Sequence, residues 1–346
     1  MKSLISIITA VFIIYGVTVA QKPEFNVLAA NGKCFVKKKS KNWTELTTGD
    51  KLYKEDQVKL NKNAYLGLVH ATGKTEELTK EGTYLISKLS EEVARRKSNL
   101  SKRFAKYVVD EVSDVSDLTS RTNYKKQMSI TGSVERAAGD EVDAEEKSKE
   151  LTKTSGEDAK DVAAVASLLT SVSQDFIFCK LPRNSYLIDP ETTFSWYKGG
   201  DGSKYKFKIE DRKGSVVYTR EVGDTSLTLN LDKLKLDKEE CYYWSVSSGK
   251  AVSDEFCIFR LDLDKHNELR QDYMAVLDDA GTDPGPLGLI TLASFFEENN
   301  IMSNAYMAYK KAYEQAPDVD NYKKMFISYL YRIGLDREAR ILLSAK

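Results

Sequence analysis

Histidine is almost absent from this sequence: His70 and His266 are the only two in 346 residues. Neither lies at ligand spacing from a cysteine or from the other histidine, which excludes most metal-binding and catalytic-triad arrangements. The chain also lacks a glycine-rich phosphate loop of the Walker or dinucleotide-binding type and a nucleophile elbow. We therefore expect no metal site, no cofactor and no catalytic centre, with a divergent enzyme as an alternative.

The chain has no excess of charge of either sign, because Lys plus Arg and Asp plus Glu both number 52. This balance gives no reason to expect a nucleic acid or an anionic membrane as partner. Charge is nevertheless uneven: residues 22–110 hold 19 basic and 11 acidic side chains, and residues 111–161 hold 8 and 13. We interpret this as a solvated basic surface followed by an acidic linker, with a dedicated anion site as the alternative.

Residues 1–20 are typical of an export signal. One lysine precedes an apolar run, and the segment ends on Thr18-Val19-Ala20, which are small enough for signal peptidase. We expect cleavage there and a periplasmic or secreted mature chain without a membrane span, in an oxidising compartment where cysteines pair. The alternative is an uncleaved anchor, since the run from Leu4 to Ala20 is barely long enough to cross a bilayer.

Residues 25–90 predict a small β domain. Apolar and polar residues alternate in four segments that are separated by glycine turns: VLAANGKCFVKK, WTELTTGDKLYKEDQVKL, AYLGLVHATGKTEEL and GTYLIS. These segments resemble the periplasmic FecR-type domain of bacterial iron-citrate regulators, and the resemblance implies an extracytoplasmic binding or structural module. In that family a cytoplasmic tail controls a sigma factor. Here only Met1-Lys2-Ser3 precedes the apolar run, so we expect no such signalling role.

A helical connector with one strand is expected over residues 87–136. From Ser87 to about Leu118 apolar residues recur mostly three, four or seven positions apart, which predicts an amphipathic helix. We expect this helix to pack against the β domain, with binding to a membrane surface as the alternative. The segment QMSITGSVER predicts the strand. Residues 137–173 contain few large apolar residues and predict a flexible acidic linker that ends in a short helix.

Residues 174–262 alternate again in about seven short segments, which predicts a β-sandwich. The FSW triplet ending at Trp196, the YKFKI segment and the Leu-x5-Tyr-x-Trp-x-Val pattern around Tyr242 resemble a fibronectin type III or related immunoglobulin-like domain. The resemblance implies that Trp196 lies in the core and that the Tyr242 hydroxyl makes the corner hydrogen bond. Lys238 stands where the family usually has proline, which implies a less rigid turn.

Two of the four cysteines lie close together in the segment CYYWSVSSGKAVSDEFC, which predicts a hairpin. If Ser248 to Lys250 form the loop, Cys241 and Cys257 face each other on one side of the strand pair. A cross-strand disulfide is then one interpretation, and two free thiols are the other. Cys34 and Cys179 lie in different domains, where we expect buried thiols.

Helical spacing returns in residues 265–346. A pattern resembles the tetratricopeptide repeat, a unit of about 34 residues that forms two antiparallel helices: Leu289-x2-Leu292-Ala293-x2-Phe296, then Ala305-x3-Tyr309, Ala312 and Pro317. A second unit begins 34 positions later, and one helix is predicted ahead of the first. The resemblance implies that small residues lie where helices cross and that Leu292, Phe296 and Tyr309 fill the seam. We favour this packing over a ligand-binding aromatic cage.

These patterns predict a multidomain α+β protein with a small N-terminal β domain, a helical connector, a β-sandwich and C-terminal helical repeat pairs. The favoured function is an exported scaffold that binds another protein of the cell envelope. Five residues outside the packing pattern of the repeats are candidate partner contacts: Ser294, Glu297, Lys324, Ser328 and Tyr331. The alternative is a binder of envelope polysaccharide or of a small ligand, with Trp43 and Tyr65 stacking on a sugar.

Overall fold

The computed structural model describes residues 22–39, 41–96, 176–200, 202 and 204–344. The predicted signal peptide, the 137–173 linker and most of the connector, including its strand, lie outside these residues. Within them the chain forms N-terminal β-sheets (the N-terminal unit, residues 22–96), a β-rich middle unit (residues 176–260) and a C-terminal region of five helices (the helical region, residues 267–344). The predicted mixture of β and α structure is confirmed at this level of detail.

The N-terminal unit consists of two antiparallel four-stranded sheets around one core. Its strands are β1 (Phe25–Asn31), β2 (Cys34–Lys37), β3 (Trp43–Glu45), β4 (Lys51–Leu52), β5 (Gln57–Leu60), β6 (Tyr65–His70), β7 (Thr75–Leu78) and β8 (Gly82–Leu85). The strand orders are β4-β1-β6-β7 and β3-β2-β5-β8. Both sheets bury apolar residues in the same core, Val27 and Leu68 from the first and Val36 and Leu60 from the second. This is the arrangement that alternating strands favour.

Helix α1 (Ile86–Arg95) follows β8 directly and packs on this core. Its buried apolar residues recur at helical spacing, as expected for one covered face: Ile86, Leu89 and Val93. The prediction that the connector helix packs against the β domain therefore holds for the part of the helix that the structure describes.

The predicted helix is interrupted at Arg96. We expected one helix from Ser87 to about Leu118, but α1 ends before Arg96, whose backbone is extended. The remainder of the predicted span, residues 97–118, lies outside the described residues. The Lys74 ammonium donates hydrogen bonds to the carbonyls of Val93 and Ala94 at 3.3 and 3.0 Å. A cation at a helix C-terminus satisfies carbonyls that a further turn would otherwise use, so a lysine from the turn between β6 and β7 stabilises the end of α1.

The middle unit contains ten strands in two sheets. They are β9 (Phe176–Ile177), β10 (Cys179–Leu181), β11 (Ser185–Leu187), β12 (Glu191–Trp196), β13 (Tyr205–Glu210), β14 (Val216–Val222), β15 (Ser226–Asn230), β16 (Cys241–Ser248), β17 (Ala251–Ser253) and β18 (Phe256–Arg260). One sheet has the order β10-β12-β15, and the other has β11-β18-β16-β13-β14, with β17 paired to β16 and β9 paired to β17. The Phe194 ring of the first sheet lies 4.9 Å from Phe207 and 5.2 Å from Trp244 of the second. The two sheets therefore share one aromatic core.

The residues that carry the fibronectin-like pattern lie in this core or at its edge. Trp196 is 2% exposed. The Tyr242 hydroxyl accepts a hydrogen bond from the Asp237 backbone N–H at 3.0 Å. Lys238 forms an ion pair with Asp262 at 3.1 Å, so a charge contact is present at the turn where the family usually has proline.

A disulfide joins Cys241 and Cys257 across β16 and β18. The two cysteines are not directly opposite, as the predicted hairpin required, because Cys241 pairs with Phe259 and Cys257 pairs with Tyr243. The turn after β16 holds two residues instead of three, and strand pairing is interrupted between β17 and β18. The bridge therefore crosses the strand pair diagonally. The remaining thiols, Cys34 and Cys179, are buried and free.

The helical region consists of α2 (Asn267–Ala280), α3 (Pro286–Glu298), α4 (Met302–Gln315), α5 (Asp320–Arg332) and α6 (Asp336–Ser344). Each helix packs against the next one in the chain. Four residues at the predicted repeat positions are 0% exposed: Ala293, Ala305, Tyr309 and Ala312. Small side chains at these positions let the helix backbones approach each other closely.

The five helices also join the two β-rich units. One hydrophobic core contains residues of the helical region together with Leu28 of the N-terminal unit and Leu181 of the middle unit. On one side the Asn321 amide donates a hydrogen bond to the Leu28 carbonyl at 2.9 Å. On the other, the Arg183 guanidinium donates one to the Gly334 carbonyl at 2.7 Å. Residues far apart in sequence therefore build one continuous body.

Candidate functional site: the groove between β12 and α4

Two of the five predicted partner contacts are completely buried in the helical region. Ser294 and Ser328 are both 0% exposed. The Ser294 hydroxyl donates a hydrogen bond to the Ile290 carbonyl at 2.9 Å, one turn earlier in α3. The expectation that these serines lie on an exposed contact surface is therefore corrected.

Glu297, a third predicted contact, belongs to an internal ion pair. Its carboxylate accepts hydrogen bonds from the Arg332 guanidinium at 2.5 and 2.9 Å and from the Tyr309 hydroxyl at 2.9 Å. Its side chain is 9% exposed, so it stabilises the packing of α3, α4 and α5 instead of facing a partner. Lys324 and Tyr331, the other two candidates, are half-buried on α5.

A groove of about 800 Å³ lies between the middle unit and the helical region. One wall is β12 with the residues just before it, and the other wall is α4. The apolar lining includes Leu181, Leu187, Ile188, Leu289, Tyr306 and Met307. Charged and polar residues border it: Asp189, Glu191, Asn304, Lys310, Lys311 and Glu314. An apolar floor with a polar rim is the usual composition of a binding site.

The groove also touches the predicted seam between the helices. Leu292 and Phe296 contribute to its floor, yet they are only 6% and 7% exposed, and Tyr309 is 0% exposed. Met307 on α4 is 61% exposed. The seam is therefore packed, and Met307 supplies much of the apolar surface that a ligand could reach.

The edge of β12 faces this groove. Glu191, Thr192, Thr193 and Ser195 all line it, although successive side chains of a strand point to opposite faces of the sheet. A groove can contact side chains from both faces of the sheet only if it runs along the edge of the strand. β15 pairs with β12 along its other edge, whereas β10 pairs only with its last two residues. Among the described residues, the segment from Glu191 to Phe194 therefore has one edge without a strand partner.

The backbone of Thr193 points toward that open edge. The Trp196 N–H donates a hydrogen bond to the Thr225 carbonyl, on the β15 side, at 3.0 Å. The N–H and carbonyl of successive residues in a strand point alternately to its two edges, so those of Thr192 and Phe194 also point toward β15. The N–H and carbonyl of Thr193 consequently face the groove. An unpaired strand edge is the feature to which an extended peptide adds as a further strand.

Hydrogen bonds hold the two walls of the groove in place. The Met302 N–H, at the start of α4, donates to the Ser185 hydroxyl of β11 at 2.9 Å. The Asn304 amide donates to the Asp189 carboxylate, just before β12, at 2.7 Å. The groove is thus formed before any ligand binds, which reduces the entropy cost of binding.

The groove carries charges of both signs. Lys310 and Glu314 form an ion pair along α4 at 3.7 Å. Burial raises the pKa of Tyr306, and the nearby Glu314 raises it further, so this hydroxyl stays protonated at neutral pH. The lining residues include no histidine or cysteine. An apolar floor bordered by charged side chains of both signs is suited to binding a ligand.

Sequence reasoning missed one serine–histidine contact in the N-terminal unit. His70 Nε2 lies 2.9 Å from the Ser90 hydroxyl, which donates to the Glu24 carboxylate at 2.6 Å, and His70 Nδ1 lies 2.7 Å from the Thr72 hydroxyl. His70 and Ser90 are 5% and 9% exposed. A catalytic nucleophile needs a path to its substrate, so we interpret this network as a tie between α1 and β6. Helical periodicity around Ser90 gave no sign of it.

No protein-family model matches this chain, and no curated protein is significantly similar to it. None of the helices in the described part of the chain has the length and apolar character needed to span a bilayer. In the same part, no group of three or more His, Cys, Asp or Glu residues could hold a metal ion. The groove between β12 and α4 is the feature of the described residues from which a function is inferred.

Proposed function

We propose that this is an exported protein that binds a partner protein by accepting an extended segment of it in the groove between β12 and α4. The observation that carries the proposal is the edge of β12 that has no strand partner among the described residues, where the Thr193 backbone faces a groove with an apolar floor. Main-chain hydrogen bonds to a strand edge supply affinity, and contacts to alternate side chains supply selectivity. A protein segment in strand conformation offers both.

The finer domain assignment is part of the same proposal. We assign residues 25–90 to a FecR-like domain, residues 174–262 to a fibronectin-like sandwich and residues 265–346 to tetratricopeptide-like helix pairs. The shared core of two sheets in the middle unit and the successive packing of the helices support the last two assignments. The export signal expected in residues 1–20 supports a periplasmic or secreted location.

The helices have a different role in this proposal from the one that repeats usually have. Repeat helices commonly bind partners on a concave surface of their own. Here Ser294, Glu297 and Ser328 are buried in the packing of the helices, and the helices join the two β-rich units. The helical region therefore supplies one wall of the binding site and keeps that wall beside β12.

Photo-crosslinking tests the proposal. A photoreactive amino acid replaces Met307, which is 61% exposed on the α4 wall, and the crosslinked partner segment is identified by mass spectrometry in producing cells. Thr193→Pro removes the N–H that faces the groove and leaves the ladder to β15 intact. We expect it to abolish the crosslink with little change in thermal unfolding. Thr193→Val, which keeps the N–H, should retain the crosslink.

The outcomes separate the roles of backbone and side chain. If both the Pro and the Val variant still crosslink as strongly as the unchanged protein, the partner does not use the strand edge. Loss in both would point instead to the Thr193 hydroxyl, which lies 2.8 Å from the Thr228 hydroxyl of β15. Either result contradicts strand addition as the binding mode.

A further inference from the structure

The outward face of the sheet β3-β2-β5-β8 combines aromatic and cationic side chains. Trp43 on β3 lies directly opposite Lys37 on β2. Phe35 on β2 lies opposite both Glu45 on β3 and Lys59 on β5. Three further residues complete this face on β5 and β8: Gln57, Thr83 and Leu85. The residues that alternate with them point into the core, among them Val36, Val58 and Leu60.

This face is open to solvent. Trp43 is 39% exposed and Leu85 is 40% exposed, and Lys59 is exposed beside half-buried Phe35 and Lys37. The helical region contacts the opposite sheet, at β7. The Trp43 indole is therefore accessible to a ligand that approaches this face.

Positive charge is concentrated in the chain segment that supplies most of this sheet. Residues 33–62, which contain β2, β3 and β5 of this sheet and β4 of the other, hold nine lysines and four acidic residues, whereas residues 66–96 hold five basic and five acidic residues. Two of the nine lysines, Lys37 and Lys59, lie on the outward face. Lys39 pairs with Glu55 at 2.7 Å. Among the described residues no acidic side chain forms an ion pair with Lys37 or Lys59. The one acidic side chain on the face itself is Glu45.

We propose that this face binds an anionic polysaccharide. The indole of Trp43 stacks on the apolar face of a sugar ring, as aromatic side chains do in contacts with flat apolar surfaces. Lys37 and Lys59 then bind acidic groups on neighbouring sugars, because their strands are about 4.8 Å apart and the two lysines lie two residues out of register. The polymer supplies the negative charge that the face lacks.

The residue types favour an acidic glycan over a nucleic acid. Arginine is absent from residues 22–94, although its planar guanidinium is the group best suited to phosphate and to base edges. Lysine binds as a point charge and suits single carboxylates or sulfates spread along a polymer. Tyr65, the other aromatic residue considered for sugar stacking, is not part of this face. Its hydroxyl lies 2.8 Å from that of Tyr322 at the contact with α5.

Tryptophan fluorescence tests this proposal. Trp196 and Trp244 are 2% and 0% exposed, so acrylamide quenches mainly Trp43. Polygalacturonate is the probe, neutral dextran is the charge control and single-stranded DNA is the competing polyanion. We expect polygalacturonate alone to protect Trp43 from quenching, with an affinity that falls as the salt concentration rises.

Matched lysine variants test the contribution of the face. Lys37→Gln combined with Lys59→Gln should raise the dissociation constant for polygalacturonate on the order of tenfold. Lys213→Gln combined with Lys250→Gln removes the same charge from exposed positions of the middle unit and should leave the constant nearly unchanged. Trp43→Ala should also weaken the binding of polygalacturonate, which affinity electrophoresis measures without tryptophan fluorescence.

Three results would overturn the proposal: no protection by polygalacturonate, equal weakening by both lysine pairs, or stronger protection by single-stranded DNA. The face lies in the N-terminal unit, away from the groove. Thr193→Pro should therefore leave polygalacturonate binding unchanged, and either proposal can fail without the other.

Discussion

The Glu77 carboxylate of β7 accepts a hydrogen bond from the Leu287 backbone N–H, in the first turn of α3, at 2.6 Å. The Gly288 N–H supplies a second, longer bond at 3.4 Å. The residue at the N-cap position of α3, Gly285, has no side chain that could accept such a bond. A carboxylate 210 residues earlier in the chain thus caps the helix and lies at the positive end of its dipole.

Replacement of Glu77 should weaken the junction between the N-terminal unit and the helices. Glu77→Ala removes the cap and is expected to lower the free energy of unfolding by about 1–2 kcal/mol. Glu77→Gln should cost less, because its amide oxygen still accepts a hydrogen bond and burial already raises the pKa of Glu77, which disfavours the charge. Urea unfolding measures both. Glu81→Ala, at a nearby exposed position, is the control, and a loss as large as that of Glu77→Ala would argue against the cap.

The Tyr65 and Tyr322 hydroxyls should stabilise the same junction as a coupled pair. They lie 2.8 Å apart, Tyr65 on β6 and Tyr322 on α5, and Tyr322 is 0% exposed. Each single change to Phe should cost about 1 kcal/mol, because a buried hydroxyl loses its partner. The double change should cost less than the sum, since both variants remove one shared bond. A double-mutant cycle of unfolding free energies tests this prediction. If the two losses add up to that of the double variant, the hydroxyls are not coupled.

Thiol counting should distinguish the two kinds of cysteine. In denaturant without reductant we expect two reactive thiols, Cys34 and Cys179, and after reduction all four. In the native protein neither free thiol should react quickly, because both are buried and burial raises their pKa values to about 11 for Cys34 and about 12 for Cys179. Four thiols without reductant would show that Cys241 and Cys257 are unpaired.

Loss of the disulfide should destabilise the middle unit. The bridge closes a loop with a sequence separation of 16 residues, for which chain entropy alone predicts roughly 3 kcal/mol. The double variant Cys241→Ala and Cys257→Ala should therefore unfold at lower denaturant concentration than the oxidised protein. It should also be insensitive to reductant, whereas reductant should lower the midpoint of the unchanged protein.

Stability should fall as the pH decreases below about 6.5 because of His70. Burial lowers the pKa of His70 below its ordinary value of 6.5; Lys74 acts in the same direction, and Glu24 opposes them. Between the folded pKa and 6.5 the unfolded chain binds a proton that the folded chain does not, so acid favours unfolding there. One titrating group can change the free energy of unfolding by at most about 1.4 kcal/mol per pH unit.

Urea midpoints measured between about pH 7.5 and pH 5 test this slope. His70→Gln should flatten it, even if the variant is less stable at every pH, because Gln does not titrate. His266→Gln, at the exposed histidine, should retain it. An unchanged slope in His70→Gln would assign the acid sensitivity to other groups.

Local periodicity by itself indicated the types of secondary structure in the described residues. Alternation in residues 25–90 and 174–262 predicts strands, and helical spacing in residues 265–346 predicts helices. The resemblances to the fibronectin type III and tetratricopeptide patterns implied that Trp196, Ala305 and Tyr309 are buried, and all three are. Secondary structure can be predicted from neighbouring residues alone, because each strand or helix buries one apolar face regardless of which element covers that face.

Tertiary structure alone decided which of the remaining surfaces stay exposed. Glu297 and Ser328 lie off the packing pattern of their own helices but are covered by neighbouring helices. The edge of β12 at Thr193, in contrast, has no strand partner within the described part of the chain, because β10 pairs with only the end of β12. The Glu77 cap and the groove between β12 and α4 bring together residues that are far apart in the chain. Burial depends on which elements meet in space, and a local pattern of apolar residues does not specify that meeting.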